Sequence, residues 1–389
     1  MRVFGRIAVL FLLFALLGGS VIGSASTVAP LPTPHTSARA AVLMDLYGQV
    51  LYAQNGEERL PMASTTKIMT ALVAIESGKI DRTVKISPAA VGVEGSSAYL
   101  VAGESMTLQT LLYALMLESA NDAAVAIAIA VSGSEDAFVE RMNAKAAELG
   151  LFNTHFENPH GLDHENHYTT ALDLASLTVF ALKNEVFAEI VSTVRFSASV
   201  NGAEAHTRLF VNHNRLLREY EGCIGVKTGY TKRCGRCLVS AARRKDLTLV
   251  AVTLSDPNDW RDHRVMLDYG FSVCDPVTVA DEGAYRYTLP VVSGQVKSVT
   301  ASNRDALTLT LWKNCAPDVR VELPRFLYGG IRKGDRLGQA IVTVNGKEAA
   351  VLPLYAEADA PATVYPKSLW QRIGDGFLAA IGWLVGLFQ

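Results

Sequence analysis

Two periodicities divide the chain. Ile68, Leu72 and Ile75 fall on one helical row and Met69 and Val73 on the next, and from about Asp81 to Asn184 the pattern stays mostly helical. Thr107 can cap a helix carrying Leu108, Leu111, Leu112 and Leu115, and a further helix resumes from Asp122 to Val131. Phe138, Met142, Ala146 and Leu149 continue the amphipathic pattern. Ahead of these, Ala41–Met44 and Gln49–Ala53 read as two short strands joined through Leu46-Tyr47-Gly48. After Phe196 the period turns towards two. Ile224–Thr231, Cys237–Ala242 and Leu247–Leu254 read as strands, with residues 243–246 as the turn between the last two. Such neighbours predict an antiparallel sheet, covered by helices that include Asp262–Tyr269.

Asp275-Pro276 marks a boundary. Beyond it, Tyr285–Val291, Leu307–Leu311, Val319–Leu323, Ile341–Val344 and Ala349–Leu354 are short alternating runs, and Asn345-Gly346 is a strong hairpin turn. No helix-length pattern interrupts them, which predicts a small all-β domain. Ser368–Gln389 then returns to helical spacing, with Leu369, Ile373, Phe377, Ile381, Leu384 and Phe388 in one stripe beside Trp370 and Trp383. That stretch is short for a bilayer span, so it is expected to lie in the membrane interface, with packing on the β domain as the alternative. At the other end, Arg2 and Arg6 precede an apolar run from Ile7 to Leu17 and a small-residue site ending at Ala25. This is a secretory signal, expected to be cleaved after Ala25, so the mature protein is exported.

The expected organisation is therefore a signal at 1–25, a proline-containing tether at 26–38, an α/β (α+β) domain at 39–274, an all-β domain at 275–366 and an amphipathic anchoring helix at 367–389. The 389 residues leave room for both domains. A net charge of −2 with the two signs interspersed gives no reason to expect a nucleic-acid partner. The cysteine count of five is odd, so at least one thiol is unpaired within the chain. Cys234-x-x-Cys237 has the spacing of a redox pair or half a zinc site, but no second ligand pair follows and the segment reads as a turn entering a strand. His160, His164 and His167 cluster in a loop at a spacing that matches no zinc signature, so they are expected to structure that loop or face solvent.

Ser64 and Lys67 stand three apart just ahead of the first helical rows, a spacing that puts hydroxyl and amine side by side on one face. A serine becomes a nucleophile when a base takes its proton, and a lysine whose pKa is lowered by burial can be that base. Alone the pair is weak evidence. Ser-x-x-Lys arises roughly once by chance in a chain this long, and Pro61 with Ser64 also makes an ordinary helix start. Downstream, however, lie Ser119-Ala120-Asn121-Asp122 and then Val226-Lys227-Thr228-Gly229-Tyr230. Ser119 and Asp122 can form a capping box for the helix that follows, a role compatible with presenting Ser119 and Asn121.

Ser-x-x-Lys, Ser-x-Asn and Lys-Thr-Gly in that order resemble the signatures of penicillin-binding proteins and serine β-lactamases. From about Ala41 to Phe271 the chain resembles the low-molecular-weight penicillin-binding proteins that act as serine-type D-Ala-D-Ala carboxypeptidases. The likeness includes Pro61-Met62-Ala63-Ser64-Thr65-Thr66-Lys67-Ile68-Met69-Thr70, His160-Gly161-Leu162-Asp163 and Val226–Thr231. The trailing β domain and terminal helix resemble that family too. One position departs: Cys234 stands before Gly235 where the family commonly has alanine, which puts no catalytic residue in doubt.

The resemblance implies a β-lactamase/transpeptidase-like domain with an antiparallel sheet, flanking helices and a helical subdomain. It implies that Ser64 attacks the penultimate D-Ala carbonyl of a peptidoglycan stem peptide, with Lys67 as base, Ser119 relaying a proton to the leaving amine and Asn121 orienting Lys67 and the substrate amide. Lys227 and Thr228 would hold the terminal carboxylate, the N–H groups of Ser64 and Tyr230 would form the oxyanion hole, and Gly229 would allow close approach of the strand to substrate. No metal or cofactor is required. β-Lactams are the expected inhibitors, and the outer face of the cytoplasmic membrane is the expected location. A serine β-lactamase shares the motifs, but the β domain and terminal helix favour the wall enzyme; a non-catalytic β-lactam sensor or wall-binding protein is the other alternative.

Overall fold

The computed structural model describes residues 32–201, 206–313, 315–344 and 346–363, with isolated helical positions between 373 and 381. The expected signal, the start of the tether and most of the terminal helix lie outside the described residues.

The chain opens with the expected hairpin, β1 (Ala40–Asp45) and β2 (Val50–Gln54). A 3₁₀ turn over Ala63–Thr66 leads into helix α1 (Lys67–Glu76). The short strands β3 (Thr83–Lys85) and β4 (Ser105–Thr107) pair with each other ahead of α2 (Leu108–Leu117). Then come α3 (Asn121–Ser132), α4 (Glu135–Glu148), α5 (Ala171–Leu182) and α6 (Glu185–Ser192). A hairpin of β5 (Arg195–Val200) and β6 (His206–Val211) and the short α7 (Leu216–Glu219) precede the long strands β7 (Cys223–Thr231), β8 (Gly235–Arg244) and β9 (Leu247–Leu254). Helix α8 (Asp259–Val273) follows.

The central sheet is antiparallel, in the order β2-β1-β9-β8-β7. Its inner strands alternate between two cores, because successive side chains of a strand point to opposite faces. Ala40, Val42 and Met44 of β1 join Val250 and Val252 of β9 under α1, α2 and α5, whereas Ala41 and Leu43 join Leu249 and Ala251 under Met266 and Leu267 of α8. A strand buried on both faces reads as a continuous apolar run, as Leu247–Leu254 does. Helix α1 is buried through Ile75, because other helices cover the side that the sheet does not.

Local capping follows the sequence at several helices. Thr107, Ser134, Thr170 and Asn184 each accept a backbone N–H through the side chain at the N-terminus of α2, α4, α5 and α6. The capping box expected of Ser119 and Asp122 does not form: Ala120 is the N-cap of α3, without a side-chain cap. Asp122 instead accepts from the Ser97 hydroxyl and from the N–H groups of Ala98 and Leu100, which ties down the 97–100 loop. Strand β8 also runs further than its alternation suggests, leaving Lys245-Asp246 as the turn to β9.

Beyond α8 the chain is all β among the described residues up to 363. Strand β10 (Cys274–Ala280) begins where α8 ends, so Asp275-Pro276 stands inside a strand. After it come β11 (Arg286–Val292), β12 (Ser298–Ser302), β13 (Leu307–Trp312), β14 (Pro317–Glu322), β15 (Leu327–Tyr328), β16 (Arg336–Val344) and β17 (Lys347–Ala356). A six-stranded sheet orders β14-β16-β17-β12-β11-β15, and β10 pairs with β13. Strands β10, β12 and β15 are additions to the runs legible in the sequence. These strands join the mixed region through Lys313 N–H to the Val273 carbonyl at 2.8 Å and an edge-to-face contact of Trp312 with Tyr269.

His263 locks α8 to the sheet. Its ring is wholly buried, with Nδ1 2.5 Å from Ser240 Oγ of β8 and Nε2 3.0 Å from Thr253 Oγ1 of β9. Burial pushes its pKa down to about 3. As the pH falls below about 6.5 the unfolded chain takes up a proton that the folded chain refuses, so stability is lost on acidification through this window. Urea titrations at successive pH values should show a His263 contribution approaching about 1.4 kcal/mol per pH unit below pH 6. His263→Gln should remove that contribution. An unchanged slope would mean the ring is charged in the fold.

Candidate active site

The three sequence motifs converge on one cleft. Ser64 sits in the 3₁₀ turn rather than on α1 itself, one residue after Ala63, whose φ of +47° lies in the left-handed region. Lys67 begins α1 and is wholly buried. Ser119 turns the chain between α2 and α3 with φ +60°, again left-handed without being glycine. Such conformations cost about 1 kcal/mol or more each and mark places where the surroundings dictate the backbone. Lys227, Thr228, Gly229 and Tyr230 lie on β7, the edge strand of the central sheet.

Lys67 is the hub. Its Nζ lies 2.9 Å from Ser64 Oγ, 2.6 Å from Asn121 Oδ1 and 2.6 Å from the His160 carbonyl oxygen. The Asn121 amide is oriented by its other end, where Nδ2 donates to the Glu94 carbonyl at 2.6 Å. Gly95 makes that fit possible: its φ is +92°, and a Cβ there would lie 2.7 Å from Asn121 Nδ2. Burial, reinforced by the charge of Lys227, drives the Lys67 amine well below the ordinary lysine range, with Asp122 acting in the opposite sense. Lys227 is also buried, and that burial lowers its pKa to about 7; its Nζ donates to the Thr228 carbonyl at 3.0 Å.

The loop that supplies the His160 carbonyl is itself pinned. Asn158 accepts from Gly161 N–H and donates to the Leu162 carbonyl, and Thr70 donates to the Pro159 carbonyl at 2.6 Å. His167 accepts from Glu157 N–H on Nδ1, which leaves Nε2–H to donate to Thr66 Oγ1 at 2.7 Å, and Thr66 passes the chain on to the Ala63 carbonyl. Burial pushes His167 to about 3 and His160 to about 4, so both rings are neutral near pH 7. His160 and His167 therefore structure the loop, while His164 is exposed. The role of His160 is carried by its backbone oxygen, which has no side-chain signature a sequence could display.

Gly229 brings β7 against the turn carrying Ser64. A Cβ there would stand 3.1 Å from Ser64 N and 3.2 Å from Ala63 Cβ, so the close approach it permits is of strand to turn. Ser64, Ser119, Thr228 and Tyr230 line a cleft of about 320 Å³. Its far wall contains Arg236, whose Nη2 lies 2.8 Å from Asp259 Oδ1 and whose guanidinium stacks 5.7 Å from the Trp260 ring. His213, 3.2 Å from Glu118, completes the rim. No motif spacing pointed to Arg236, Trp260 or His213. The arrangement offers a hydroxyl beside a buried amine, with a second buried amine on the neighbouring strand β7. Among the described residues no His, Cys, Asp and Glu side chains group in a way that could hold a metal.

Fold and cleft define an active-serine enzyme of the transpeptidase-like class. A family model for D-alanyl-D-alanine carboxypeptidase matches residues 26–258. The D-alanyl-D-alanine carboxypeptidase DacF of Bacillus subtilis is 35% identical over 351 residues, covering 87% of this chain and 90% of its own. DacC of Escherichia coli is 31% identical over 370 residues, with 87% and 91% covered. The crystal structure of penicillin binding protein 5 from Haemophilus influenzae superposes with a TM-score of 0.73 at 28% identity, over 85% of this chain and 99% of that one. The chain belongs to the D-alanyl-D-alanine carboxypeptidase family.

Gly161 tests the coupling between the His160 loop and the Ser64 turn. Its φ is +92°, and a Cβ there would fall 2.0 Å from the Ala63 carbonyl oxygen, whereas Gly78, with φ +69°, has nothing within 4 Å. Gly78→Ala should cost about 1 kcal/mol for the left-handed backbone alone, and Gly161→Ala roughly 2 kcal/mol or more beyond that. Chemical denaturation of the two variants gives the comparison directly. Equal losses would show that the loop and the turn are not packed together.

Proposed function

We propose that this enzyme is a serine-type D-Ala-D-Ala carboxypeptidase that removes the terminal D-alanine from peptidoglycan stem pentapeptides through an acyl-enzyme on Ser64, and that penicillin acylates the same residue. The observation that carries the reading is the set of partners around Lys67 Nζ. A neutral amine has two hydrogens and one lone pair. Asn121 Oδ1 and the His160 carbonyl can only accept, so they take the two hydrogens and leave the lone pair to the Ser64 hydroxyl. Lys67 is then poised to take the proton as Ser64 Oγ attacks the penultimate D-Ala carbonyl.

The remaining roles are those the family resemblance implies, and the cleft lined by Ser64, Ser119, Thr228 and Tyr230 supports them. The N–H groups of Ser64 and Tyr230 stabilise the developing oxyanion. Ser119 relays the proton to the leaving D-Ala amine, and Asn121 holds Lys67 and the substrate amide. Lys227 and Thr228 bind the terminal carboxylate. With its pKa at about 7, Lys227 gains protonation when that carboxylate arrives, because an opposite charge favours the ammonium form. Lys67, whose amine burial and the Lys227 charge push down, remains the base. Water then attacks the ester and releases the shortened peptide.

Location belongs to the same proposal. The chain is exported by residues 1–25, extends through a tether to about residue 38, and carries its catalytic domain at 39–274 and a β domain at 275–366. Residues 367–389 hold it on the outer face of the cytoplasmic membrane. Ile373, Leu378 and Ile381 are helical and 52, 69 and 44% exposed, which supports a face available to lipid. Among the described residues no helix is long and apolar enough to cross a membrane.

A pentapeptide ending in D-Ala-D-Ala should lose one alanine by mass spectrometry, and penicillin should add one adduct to the Ser64 peptide. Lys67→Arg puts a permanently charged guanidinium in place of the amine and removes the base, so acylation should fall by roughly 10² or more. A rate within a few-fold of the parent would place the base elsewhere. Truncation before Ser368 should release a soluble protein that still cleaves the pentapeptide. A truncate that still pellets with membranes would mean the anchor lies in another segment.

A further inference from the structure

The turn between β7 and β8 holds two thiols for which the acyl-transfer chemistry has no use. Cys234 ends the turn, and Cys237 lies in β8 directly opposite Gly229. Both side chains are buried, and the two thiols interact with each other. Cys234 Sγ also donates to Asp163 Oδ1 at 3.5 Å, and Cys237 Sγ to the Pro61 carbonyl at 3.9 Å. Asp163 further accepts from Thr231 Oγ1 at 2.8 Å, and Thr231 accepts from Cys234 N–H. The pair therefore touches the loop that offers the His160 carbonyl to Lys67, the segment leading into Ser64, and the end of the strand carrying Lys227. A Cys-x-x-Cys spacing is weak evidence by itself; this placement is what singles it out.

We propose that Cys234 and Cys237 form a redox-modification site, which a small peroxide oxidises to an intrachain disulfide, and that closing it slows acylation of Ser64. The first half stands on the thiol pair alone; the second rests on Ser64 being the acylated residue. The sulfurs are covered by protein, which favours hydrogen peroxide over a bulky disulfide as oxidant. When Cys234 ionises, the Cys237 S–H turns to it from the Pro61 carbonyl. That hydrogen bond holds the Cys234 thiol below its ordinary range, against burial and the Asp163 carboxylate, and raises that of Cys237, which divides the roles. The Cys234 thiolate attacks one peroxide oxygen and breaks the O–O bond. The departing hydroxide takes the thiol proton and leaves as water, and Cys234 is left as a sulfenic acid. Cys237 sulfur then attacks Cys234 sulfur, and the expelled hydroxide leaves with the Cys237 proton as a second water. Two thiols are oxidised by two electrons, and one peroxide is reduced to two waters.

Closure draws Cys237 Sγ away from the Pro61 carbonyl and Cys234 Sγ away from Asp163. The two thiol hydrogen bonds to the Ser64 segment and the His160 loop are then lost, and Thr231 Oγ1 is left as the contact to Asp163. A catalytic geometry held on rigid neighbours loses rate when they shift by fractions of an ångström.

The test treats the purified full-length protein with hydrogen peroxide, quenches with catalase, alkylates under denaturing conditions and digests with trypsin. The expected product is the peptide Cys234–Arg236 joined to Cys237–Arg243, two hydrogens lighter than the free pair. Acylation by a fluorescent penicillin should be at least about threefold slower after oxidation. Peroxide should leave the rate of Cys234→Ala unchanged. If both cysteines are still alkylated, or Cys234 accumulates as sulfinic acid beside a free Cys237, the site is overturned. A joined peptide with an unaltered acylation rate overturns the coupling. Untreated protein that takes no penicillin at Ser64 overturns the coupling through the functional reading, while the joined peptide still decides the site.

Discussion

A lysine with no exposure to solvent is the constraint on which the rest of the site depends. An isolated buried ammonium is costly, and that cost pushes the Lys67 amine well below the ordinary lysine range. The cost of burial thereby becomes basicity at the place where it is useful. Two acceptors of fixed direction, Asn121 Oδ1 and the His160 carbonyl, then decide which way the lone pair faces. Lys227 is also buried, and that burial lowers its pKa to about 7. In the proposed mechanism one amine takes the proton and the other the carboxylate.

Those acceptors stay in place because the backbone around them is held in conformations it would not choose alone. Ala63 and Ser119 take left-handed φ, and Gly95, Gly161 and Gly229 stand where a Cβ would strike a neighbour. His167 and Thr66 tie the loop to the Ser64 turn through one tautomer of one ring. The central sheet provides the rigid edge against which all of this is measured. Its inner strands are buried on both faces, so β7 has little freedom to move relative to α1.

Much of this was legible in the chain. Alternation located β7, β8 and β9, and helical rows located α1 through α4, because those elements bury a regular stripe against a large core. The motif residues Ser64, Lys67 and Asn121 do meet, and Ser119, Thr228 and Tyr230 do line the cleft. What escaped notice has identifiable causes. The His160 carbonyl and the Glu94 carbonyl act through backbone atoms, which every residue possesses. Asp122 suited a helix cap but serves a distant loop, since local spacing says nothing of a partner more than twenty residues away. Arg236 and Trp260 reach the cleft only because β8 pairs with β7 and α8 packs on β8 and β9.

The central claim is that Lys67 is a neutral amine in the resting enzyme. Protein labelled with ¹³C at the lysine Cε, with the Lys67 signal assigned by its loss in Lys67→Arg, reports this directly as the pH is varied. The account predicts that the Lys67 signal titrates far below the roughly 10.4 of an ordinary lysine. A Lys67 signal that titrates with the surface lysines would contradict it, since the amine beside Ser64 would then carry a full charge and have no lone pair to offer.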